Sequence, residues 1–337
     1  MRNFVKRCVY SLPRVAGIYG LHRRRHRHQA IVLTYHGVVD HVPPDRPEYE
    51  YRNFVTTAQF ERHVQFMLRH FRPLRVSDFA DPGADIGGGF LITFDDGFRN
   101  NHTYAMPVLR RYGVEGCFFI TTGLIGTRKL LWVEEVTRML HHTRRSEVRV
   151  TLDQPRTFPL GTEAEREVAA TTIRTFMKQM TPEPLQTAVG EMKAQLDDVS
   201  LEIDERDADR YLMMTWDEVR DMLANGQAIG SHTHTHPMLS MLPIERSAFE
   251  LSHSKALIEK ETGRPCETLS YPNGRPEDFA ATQLDQLAEL GYKVAFTQIP
   301  GFNDGTTHRY RLNRVNISLK MPLSLLEATV SGVLMRN

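Results

Sequence analysis

Two short segments of the sequence carry side chains that could perform chemistry together. ITFDDGFRNN contains the adjacent carboxylates Asp95 and Asp96, and GSHTHTHPM contains His232, His234 and His236. Two imidazoles and one carboxylate form a ligand set suited to zinc or a similar divalent ion, at bond lengths of about 2.0–2.2 Å. Because three protein ligands leave coordination positions for water and substrate, such a site could be catalytic. The second carboxylate would remain free to accept a proton.

The spacing of the three histidines allows two local geometries. In a helical turn, the first and third histidines stand at positions i and i+4 and face one way, while the middle one faces elsewhere. In an extended segment all three share a face. Gly230 and Pro237 favour a turn over a long strand. A loop of surface histidines and an ordinary Asp-Asp-Gly turn are the alternative interpretations of the two segments.

Both segments directly follow apolar runs that are typical of buried strands. FLITF (90–94) precedes the aspartates, and QAIG (227–230) precedes the histidines. Further strand-like runs, separated by amphipathic stretches typical of helices, are AIVLTYH, GCFFIT, ETLSYP, YKVAF and RLNRVNI. These repeated βα units predict an α/β fold with a parallel sheet covered by helices, either open or closed into a barrel. Since ligands bind at the carboxyl ends of parallel strands, both segments are expected at one edge of the sheet.

Residues 125–214 interrupt this alternation with polar, mainly helical sequence. We interpret them as an insertion over one end of the sheet, and residues 29–337 as one barrel domain that contains the insertion. The length is compatible with this division, because barrels of about 250 residues or more often form a single unit. The capping-box spacing of Thr215 and Glu218 predicts that a helix begins directly after the insertion.

The composition of the chain narrows the class of partner. Hydrophobic residues make up 41% of the chain and charged residues 25%, as in ordinary globular proteins. The formal net charge is only +1, so a nucleic acid is not expected as a partner. Cys8, Cys117 and Cys266 are odd in number and far apart. They predict neither a disulfide framework nor a cysteine zinc site, and they favour reduced thiols in the cytosol or facing it.

Residues 1–28 form a basic arm with apolar residues at near-helical spacing, among them Val5, Cys8, Leu12 and Tyr19. Such a helix could lie on an anionic membrane surface, or it could pack on the fold and be followed by a solvated basic linker. The arm contains no apolar run long enough for a membrane-spanning helix or a convincing signal peptide. The expected location is therefore the cytoplasm or the cytoplasmic face of the membrane.

The motifs TFDDG, GSHTHTHP and SYPNG, in this order, resemble the polysaccharide deacetylase family, the NodB-type homology domain of carbohydrate esterase family four. LTYHGV and GFRNNHTYAMPVLRRYGVEGCFFITTGLIG resemble the bacterial exopolysaccharide branch of that family. The similarity spans about residues 30–317, apart from the insertion. It implies a distorted (β/α)7-type barrel and the metal-dependent removal of N-acetyl groups from amino sugars of a polysaccharide or a lipid-linked glycan.

The same resemblance implies roles for individual residues. Asp95 would be the general base, and Asp96 would bind the metal, for which the donor chemistry favours zinc. His232 and His236 would complete the metal site. Asn273, in SYPNG, would donate its backbone N–H to the oxyanion that forms when water attacks the amide.

Two departures from the family pattern concern the remaining catalytic groups. Many relatives have, in the position of Ser270, an arginine that orients the catalytic aspartate; Arg314 could replace it, or could be a buried arginine paired with another acid. A late Leu-x-His motif that supplies the general acid is missing. His36 is the preferred replacement and His308 a weaker one, although His36 could also be a strand-end histidine with a structural role. His234 occupies a position that the family does not use for metal.

The expected partner is thus an N-acetylated glycan or glycolipid, and the sequence does not specify the oligomeric state. The same mechanism could act on a small N-acyl sugar or on a formylated lipid-linked sugar. A carbohydrate-binding barrel without turnover is the rival from another class, because two catalytic positions depart from the family pattern. Peripheral contact of residues 1–28 with a membrane remains an additional expectation.

Overall fold

The computed structural model describes residues 17–335 of the chain, except residues 45 and 47. The strands are β1 (Ile31–Tyr35), β2 (Gly37–Val39), β3 (Phe54–Thr56), β4 (Arg72–Pro73), β5 (Gly89–Phe94), β6 (Gly116–Ile120), β7 (Glu147–Thr151), β8 (Pro155–Pro159), β9 (Ala228–Ser231), β10 (Thr268–Ser270), β11 (Val294–Phe296) and β12 (Val315–Asn316). The helices are α1 (Ile18–Arg25), α2 (Thr57–His70), α3 (Val76–Ala80), α4 (Met106–Tyr112), α5 (Trp132–His142), α6 (Glu163–Met177), α7 (Pro182–Gln195), α8 (Ala208–Tyr211), α9 (Trp216–Ala224), α10 (Ile244–Thr262), α11 (Ala281–Glu289) and α12 (Leu323–Val330). Single helical turns lie at Glu48–Tyr51, Asn101–Ala105 and Leu239–Met241.

A curved parallel sheet forms the centre of the fold. Its strands follow the order β11-β10-β9-β6-β5-β1-β12, and the short β4 pairs with β5. Every residue of β1, β5 and β6 is buried, because helices cover one face and the curled sheet encloses the other. Strands buried on both faces are continuously apolar, which is why these segments show no polar alternation in the sequence. The predicted seven-stranded α/β barrel is confirmed.

Local capping places the helix that leads into the histidine segment. The Thr215 hydroxyl accepts the Glu218 N–H at 3.2 Å, and the Glu218 carboxylate accepts the Thr215 N–H at 2.8 Å. Helix α9 therefore begins where the capping box predicts. Its chain reverses at Gly226, whose φ is 76°, a backbone conformation that favours glycine. Strand β9 begins after this reversal, and the histidine segment follows directly after β9.

The insertion between β6 and α9 consists of helices α5 to α8 and the antiparallel hairpin β7–β8. The mainly helical insertion is confirmed, although the sequence pattern did not indicate the hairpin. The insertion has its own hydrophobic cluster, formed by Val136, Met139, Leu140, Val148, Val150, Leu160, Ala169, Ala170, Ile173, Met177, Ala188, Val189, Met192 and Leu196. The buried Arg210 guanidinium links it to the barrel by donating to Glu134 and to the Glu50 carbonyl, both at 2.7 Å. The assignment of residues 29–337 to one domain stays a prediction.

The described part of the N-terminal arm packs on the barrel. Tyr19, in α1, is buried, and the His26 ring stacks on Phe302 with the ring centroids 4.3 Å apart. Arg23 lies 3.7 Å from Glu327, in α12. The expected apolar residues of positions 1–16 lie outside the described residues. In the part that the structure does describe, no helix combines the length and the apolar character needed to cross a bilayer.

We expect Gly230→Ala to lower the free energy of unfolding by about 1–3 kcal/mol, because overpacking displaces neighbouring atoms. A Cβ at Gly230 would lie 2.5 Å from the Thr268 hydroxyl oxygen and 2.6 Å from the Phe119 ring. The matched control is Gly190→Ala in α7, where a Cβ has no neighbour within 4 Å. This control should raise stability by about 0.5–1 kcal/mol through helix propensity. Urea denaturation followed by circular dichroism measures both; similar effects of the two substitutions would contradict this packing of β9.

Candidate active site

The two polar segments meet at the carboxyl edge of the sheet, on either side of β6. The His232 N–H donates to the Ile120 carbonyl at 2.9 Å, and the Thr121 N–H donates to the Asp96 carbonyl at 3.1 Å. The end of β6 thus holds the backbones of both segments in register. This arrangement confirms that one edge of the sheet carries both motifs, and it follows from the parallel strand order.

Asp96, His232 and His236 converge. The Asp96 Oδ1 lies 3.5 Å from the His232 Nε2 and 3.4 Å from the His236 Nε2, and one ligand atom from each residue lies within 4.8 Å of the others. Ligands bound tetrahedrally at about 2.0–2.1 Å are separated by about 3.3–3.4 Å, so these spacings fit one cation. Within the described residues, no other group of three or more acidic, histidine or cysteine side chains meets this criterion.

Hydrogen bonding and charge prepare the two histidines differently. The His232 Nδ1–H donates to the Ser270 carbonyl at 2.7 Å, so that in the neutral ring, which a metal would bind, Nε2 is the electron-pair donor. Burial lowers the pKa of His232, but the carboxylates of Asp95 and Asp96 outweigh it and the net pKa is raised. Burial dominates at His236 and lowers its pKa. Its Nδ1 is buried and has no hydrogen-bond partner among the described residues.

The Asp96 carboxyl is held in its charged form. Burial acts to raise its pKa, but hydrogen bonding to His232 and His236 outweighs burial and places the pKa well below its usual range. The ionised Asp96 carboxylate and the two imidazole rings direct their donor atoms toward one point between them. The electrostatics of the three groups therefore favour a cation between them.

The histidine segment is neither helical nor extended. Asp96, Thr233, His236 and Asn273 have φ angles of 75°, 64°, 61° and 59°, and they are the described non-glycine residues with positive φ. Each such residue costs of order 1–3 kcal/mol, and strain of this kind persists only where the surroundings impose it. Asp96, His236 and Asn273 line the same cavity, and Thr233 directly follows His232, which also lines it. The His234 side chain instead contacts the Thr122 hydroxyl at 3.0 Å and lies outside the three-residue group.

A buried carboxylate, Glu250 in α10, supports the strained loop. One oxygen accepts the N–H groups of His234 and Thr235 at 2.9 and 2.8 Å, and the other accepts the Thr235 hydroxyl at 2.6 Å. These bonds satisfy backbone donors that the irregular loop cannot pair internally. The sequence analysis missed Glu250, because a glutamate within an amphipathic helix normally indicates an exposed position.

Arg314 is completely buried and forms a bidentate ion pair with Asp95. Two of its N–H groups donate to the two carboxylate oxygens, each at 2.8 Å. The other three donate to the Thr93 hydroxyl at 3.1 Å, the Ser270 hydroxyl at 2.7 Å and the Thr297 carbonyl at 2.7 Å. All five guanidinium donors are therefore satisfied. Among the described residues, Asp95 is the acid that Arg314 contacts, and a role of Arg314 in orienting it stays a prediction.

Asp95 is consequently ionised at neutral pH. Burial acts to raise its pKa, but the Arg314 charge outweighs burial, and the net pKa is lowered. The Gln298 side chain, which the sequence analysis missed, also donates to the Asp95 Oδ2 at 3.1 Å. The Asp95 Oδ1 accepts only the Arg314 bond among the described contacts, so it keeps an open electron pair.

A cavity of about 490 Å³ opens over these groups. His36 and Asn273 line it together with Asp95 and Asp96. The His36 Nδ1 is buried and has no hydrogen-bond partner among the described residues. His308 is exposed, accepts the Tyr310 N–H at 3.1 Å and does not line the cavity. The cavity therefore contains His36 and excludes His308, and the role of His36 as general acid stays a prediction.

The insertion forms the opposite side of the same cavity, which the sequence analysis did not anticipate. Its lining residues are Val133, Glu134, Thr137, Thr171, Arg174, Thr175, Lys178 and Arg210. A signal for part of this set is present in the sequence, since residues 171, 174, 175 and 178 lie at i, i+3, i+4 and i+7 and share one helix face. The insertion is thus part of the site and not merely a cover over the sheet.

The chain is similar to known polysaccharide deacetylases. The profile of the family described as polysaccharide deacetylase matches residues 87–149 and 162–295, which include both motif segments. YxkH of Bacillus subtilis, which is named for the same family, is 21% identical over 243 residues. That match covers 72% of this chain and 56% of YxkH, so the chain spans little more than half of this relative's length.

Two solved structures share the fold. The deacetylase PplD of Streptococcus pyogenes, in complex with acetate, has a TM-score of 0.57 and 18% identity; the alignment covers 89% of this chain and 97% of PplD. IcaB of Ammonifex degensii has a TM-score of 0.56 and 17% identity, with 90% of this chain and 97% of IcaB covered. The likeness in both cases concerns the arrangement of the barrel and its helices.

We expect Arg314→Met to lower the free energy of unfolding at pH 7 by about 3–5 kcal/mol, because it leaves Asp95 buried without a counter-charge. In the wild type the Asp95 pKa is below its unfolded value, so the stability it contributes is present at neutral pH and is lost as the pH falls through the folded pKa. In the variant, burial alone should raise that pKa, and protonation should relieve the penalty as the pH falls.

Urea denaturation at pH 7 and pH 5 measures this effect, with the exposed Arg264→Met as the matched control. The difference between wild type and Arg314→Met should be smaller at pH 5. A difference that is equal at both pH values would contradict the ionised Asp95–Arg314 pair, whereas Arg264→Met should change stability by less than about 0.5 kcal/mol at either pH.

Proposed function

The chain belongs to the polysaccharide deacetylase family, and we propose that it is a metal-dependent hydrolase that removes N-acetyl groups from amino sugars of a polysaccharide or lipid-linked glycan. The observation that carries this proposal is the convergence of Asp96, His232 and His236 beside an ionised Asp95 in one cavity. The cavity can admit a sugar, and its floor offers both cation ligands and a proton acceptor.

Asp96, His232 and His236 would hold the metal ion, and their nitrogen and oxygen donors suit zinc. A bound zinc ion polarises an amide carbonyl and lowers the pKa of a coordinated water toward about 7. The hydrogen bond from His232 to the Ser270 carbonyl supports this assignment, because metal-binding histidines commonly donate their second nitrogen to such a group.

Asp95 would accept the proton of the attacking water. Its Oδ1 has an open electron pair, while Arg314 fixes the orientation of the carboxylate from behind. The low pKa keeps Asp95 ready as a base at any physiological pH, although it also limits the strength of that base. In this proposal Arg314 is a positioning residue, which takes the part of the arginine that relatives have in the position of Ser270.

Asn273 and His36 would complete the reaction. The Asn273 N–H has no acceptor in the described part of the chain, and Asn273 lines the cavity, so its backbone is available to stabilise a developing oxyanion. A donor of this kind contributes about 3 kcal/mol to the stability of a transition state. His36, which lines the same cavity, would protonate the departing amine.

We expect Asp95→Asn to abolish acetate release from N-acetylglucosamine oligosaccharides while zinc content stays near one ion per chain. The amide cannot accept the proton, whereas the three ligands remain. Asp96→Asn and His232→Ala should lose both acetate release and zinc, because each removes a ligand. His234→Ala is the matched control and should keep its zinc, since His234 lies outside the ligand group.

Acetate release and elemental analysis of the same preparations measure these outcomes. Full activity of Asp95→Asn would contradict its role as the base. Oligosaccharide binding without any acetate release from the zinc-loaded wild type would favour a carbohydrate-binding barrel instead.

We further propose that the N-terminal arm contacts a membrane surface from the cytoplasmic side. Within α1, Ile18 and Leu21 expose 40% and 69% of their surface, and Arg24 and Arg25 beside them are exposed. Apolar side chains flanked by cations suit the interface of an anionic bilayer. Such contact would bring the barrel close to a lipid-linked glycan.

We expect Leu21→Gln to weaken binding to phosphatidylglycerol vesicles by about ten- to a hundredfold, since burial of one leucine contributes about 1.5–3 kcal/mol. Phe249→Gln is the matched control, because Phe249 is also partly exposed, at 41%, but lies in α10. Co-sedimentation at low and high salt measures the affinity. Equal binding of wild type and Leu21→Gln, or equal binding to neutral vesicles, would contradict the proposed contact.

A further inference from the structure

The cavity over Asp96 has a positively charged side that the proposed hydrolysis does not use. Arg174 and Lys178 come from α6 and its C-terminal end, Arg52 precedes β3, and Arg275 follows β10. We name these four residues the cationic wall. Two separate parts of the chain, the insertion and the barrel, contribute to it.

Helix α6 directs one polar face, which carries two positive charges, toward the cavity. Thr171, Arg174, Thr175 and Lys178 share one face and line the cavity. The opposite face belongs to the hydrophobic cluster of the insertion, with Ala169, Ala170, Ile173 and Met177. Thr171 and Thr175 on this face are exposed, whereas Arg174 and Lys178 are half-buried, so the two cations lie partly sheltered in the open cavity beside the proposed catalytic groups.

Three of the four cations of the wall form no ion pair with a carboxylate among the described residues. Arg174 donates only to neutral oxygens, the Ala170 carbonyl at 2.9 Å and the Thr137 hydroxyl at 3.0 Å. Among residues 17–335 that the structure describes, no carboxylate lies within 4.0 Å of the charged nitrogens of Arg174, Lys178 or Arg275. Arg52 alone has such a partner, Glu167 at 3.3 Å.

Keeping these charges together is unfavourable. Burial, followed by repulsion from Arg174 and Arg275, lowers the pKa of Lys178 to about 8. Burial, followed by repulsion from Arg52, lowers the pKa of Arg174 to about 10. A ligand with negative charge would relieve both effects, because an opposite charge nearby stabilises the protonated forms. The cationic wall is therefore expected to be stabilised when a negatively charged ligand binds beside it.

We infer that the cationic wall binds an anionic oxygen group, phosphoryl or carboxylate, carried by the sugar whose acetamide lies at Asp96. This inference rests on the proposed function, because it places that sugar in the same cavity. Guanidinium groups bind phosphate and carboxylate oxygens with charge-assisted hydrogen bonds, and a lysine adds a compact positive charge. A neutral glycan would leave Arg174, Lys178 and Arg275 without an ion-pair partner, so the protein selects anionic glycans.

Two matched pairs of probes test this selection. N-acetylglucosamine 1-phosphate is compared with methyl N-acetylglucosaminide, and N-acetylmuramic acid, whose lactyl ether carries a carboxylate, is compared with N-acetylglucosamine. The ratio of kcat/KM within each pair should favour the anionic member by at least about tenfold, as expected for a charged hydrogen bond. The pair with the larger ratio identifies whether the wall prefers phosphoryl or carboxylate.

Lys178→Met and Arg174→Gln should each reduce the ratio about tenfold, mainly through KM, whereas Lys178→Arg should retain most of it. Lys260→Met, on the exposed side of α10, removes the same charge elsewhere and should leave the ratio unchanged. Equal melting temperatures of these variants establish that they fold alike. A ratio near one in the wild type, or a ratio unaffected by Lys178→Met and Arg174→Gln, overturns the inference while acetate release still supports the proposed function.

If no probe releases acetate, the proposed function fails and calorimetric binding decides the inference separately. The wild type should then bind N-acetylglucosamine 1-phosphate at least about tenfold more tightly than the methyl glycoside, and Lys178→Met should remove most of that difference. Equal binding of the two sugars, or a difference that persists in Lys178→Met, overturns the inference in this case as well.

Discussion

The buried ion pair between Asp95 and Arg314 connects the closure of the barrel to the chemistry of the site. Arg314 immediately precedes β12, at one end of the sheet, yet it donates to the carbonyl of Thr297, which follows β11 at the other end. The same guanidinium holds Asp95, which directly follows strand β5. Closing the curled sheet therefore also fixes the orientation of the proposed base. Because an unpaired buried charge is unfavourable, removal of either Asp95 or Arg314 alone would destabilise the fold.

The cavity separates charges of opposite sign. Asp95 and Asp96 lie at its floor, among buried histidines, whereas the cationic wall lies on the side that the insertion builds. A divalent cation at the floor and an anionic ligand at the wall would each reduce the unfavourable energy of like charges held close together. The floor of the cavity thus favours a cation and the wall favours an anion. A single substrate could bind across both if its acetamide lay at the metal and its anionic group lay at the wall.

The same region stores backbone strain. Four non-glycine residues with positive φ surround the cavity, and the buried Glu250 carboxylate holds the loop that contains two of them. Strain of this size is sustained only by rigid neighbours. Those neighbours are the fully buried strands β5 and β6 and the helix α10. The rigid, buried strands therefore hold the strained backbone at the carboxyl edge of the sheet in place.

The sequence alone determined the parallel βα architecture, the placement of Asp96, His232 and His236 at one edge, and the candidacy of His36 and Asn273. The architecture and the placement at one edge follow from local patterns, because apolar runs define strands and the residues directly after them occupy the carboxyl edge. The candidacy of Asn273 and His36 instead follows from the resemblance of the motifs to the family. The tertiary structure alone decided which acid Arg314 contacts, that Glu250 is buried, and that α6 turns its cations into the cavity. Those outcomes depend on contacts between residues far apart in the chain, such as 95 and 314, and on which helix face the neighbouring elements cover. No local pattern encodes them.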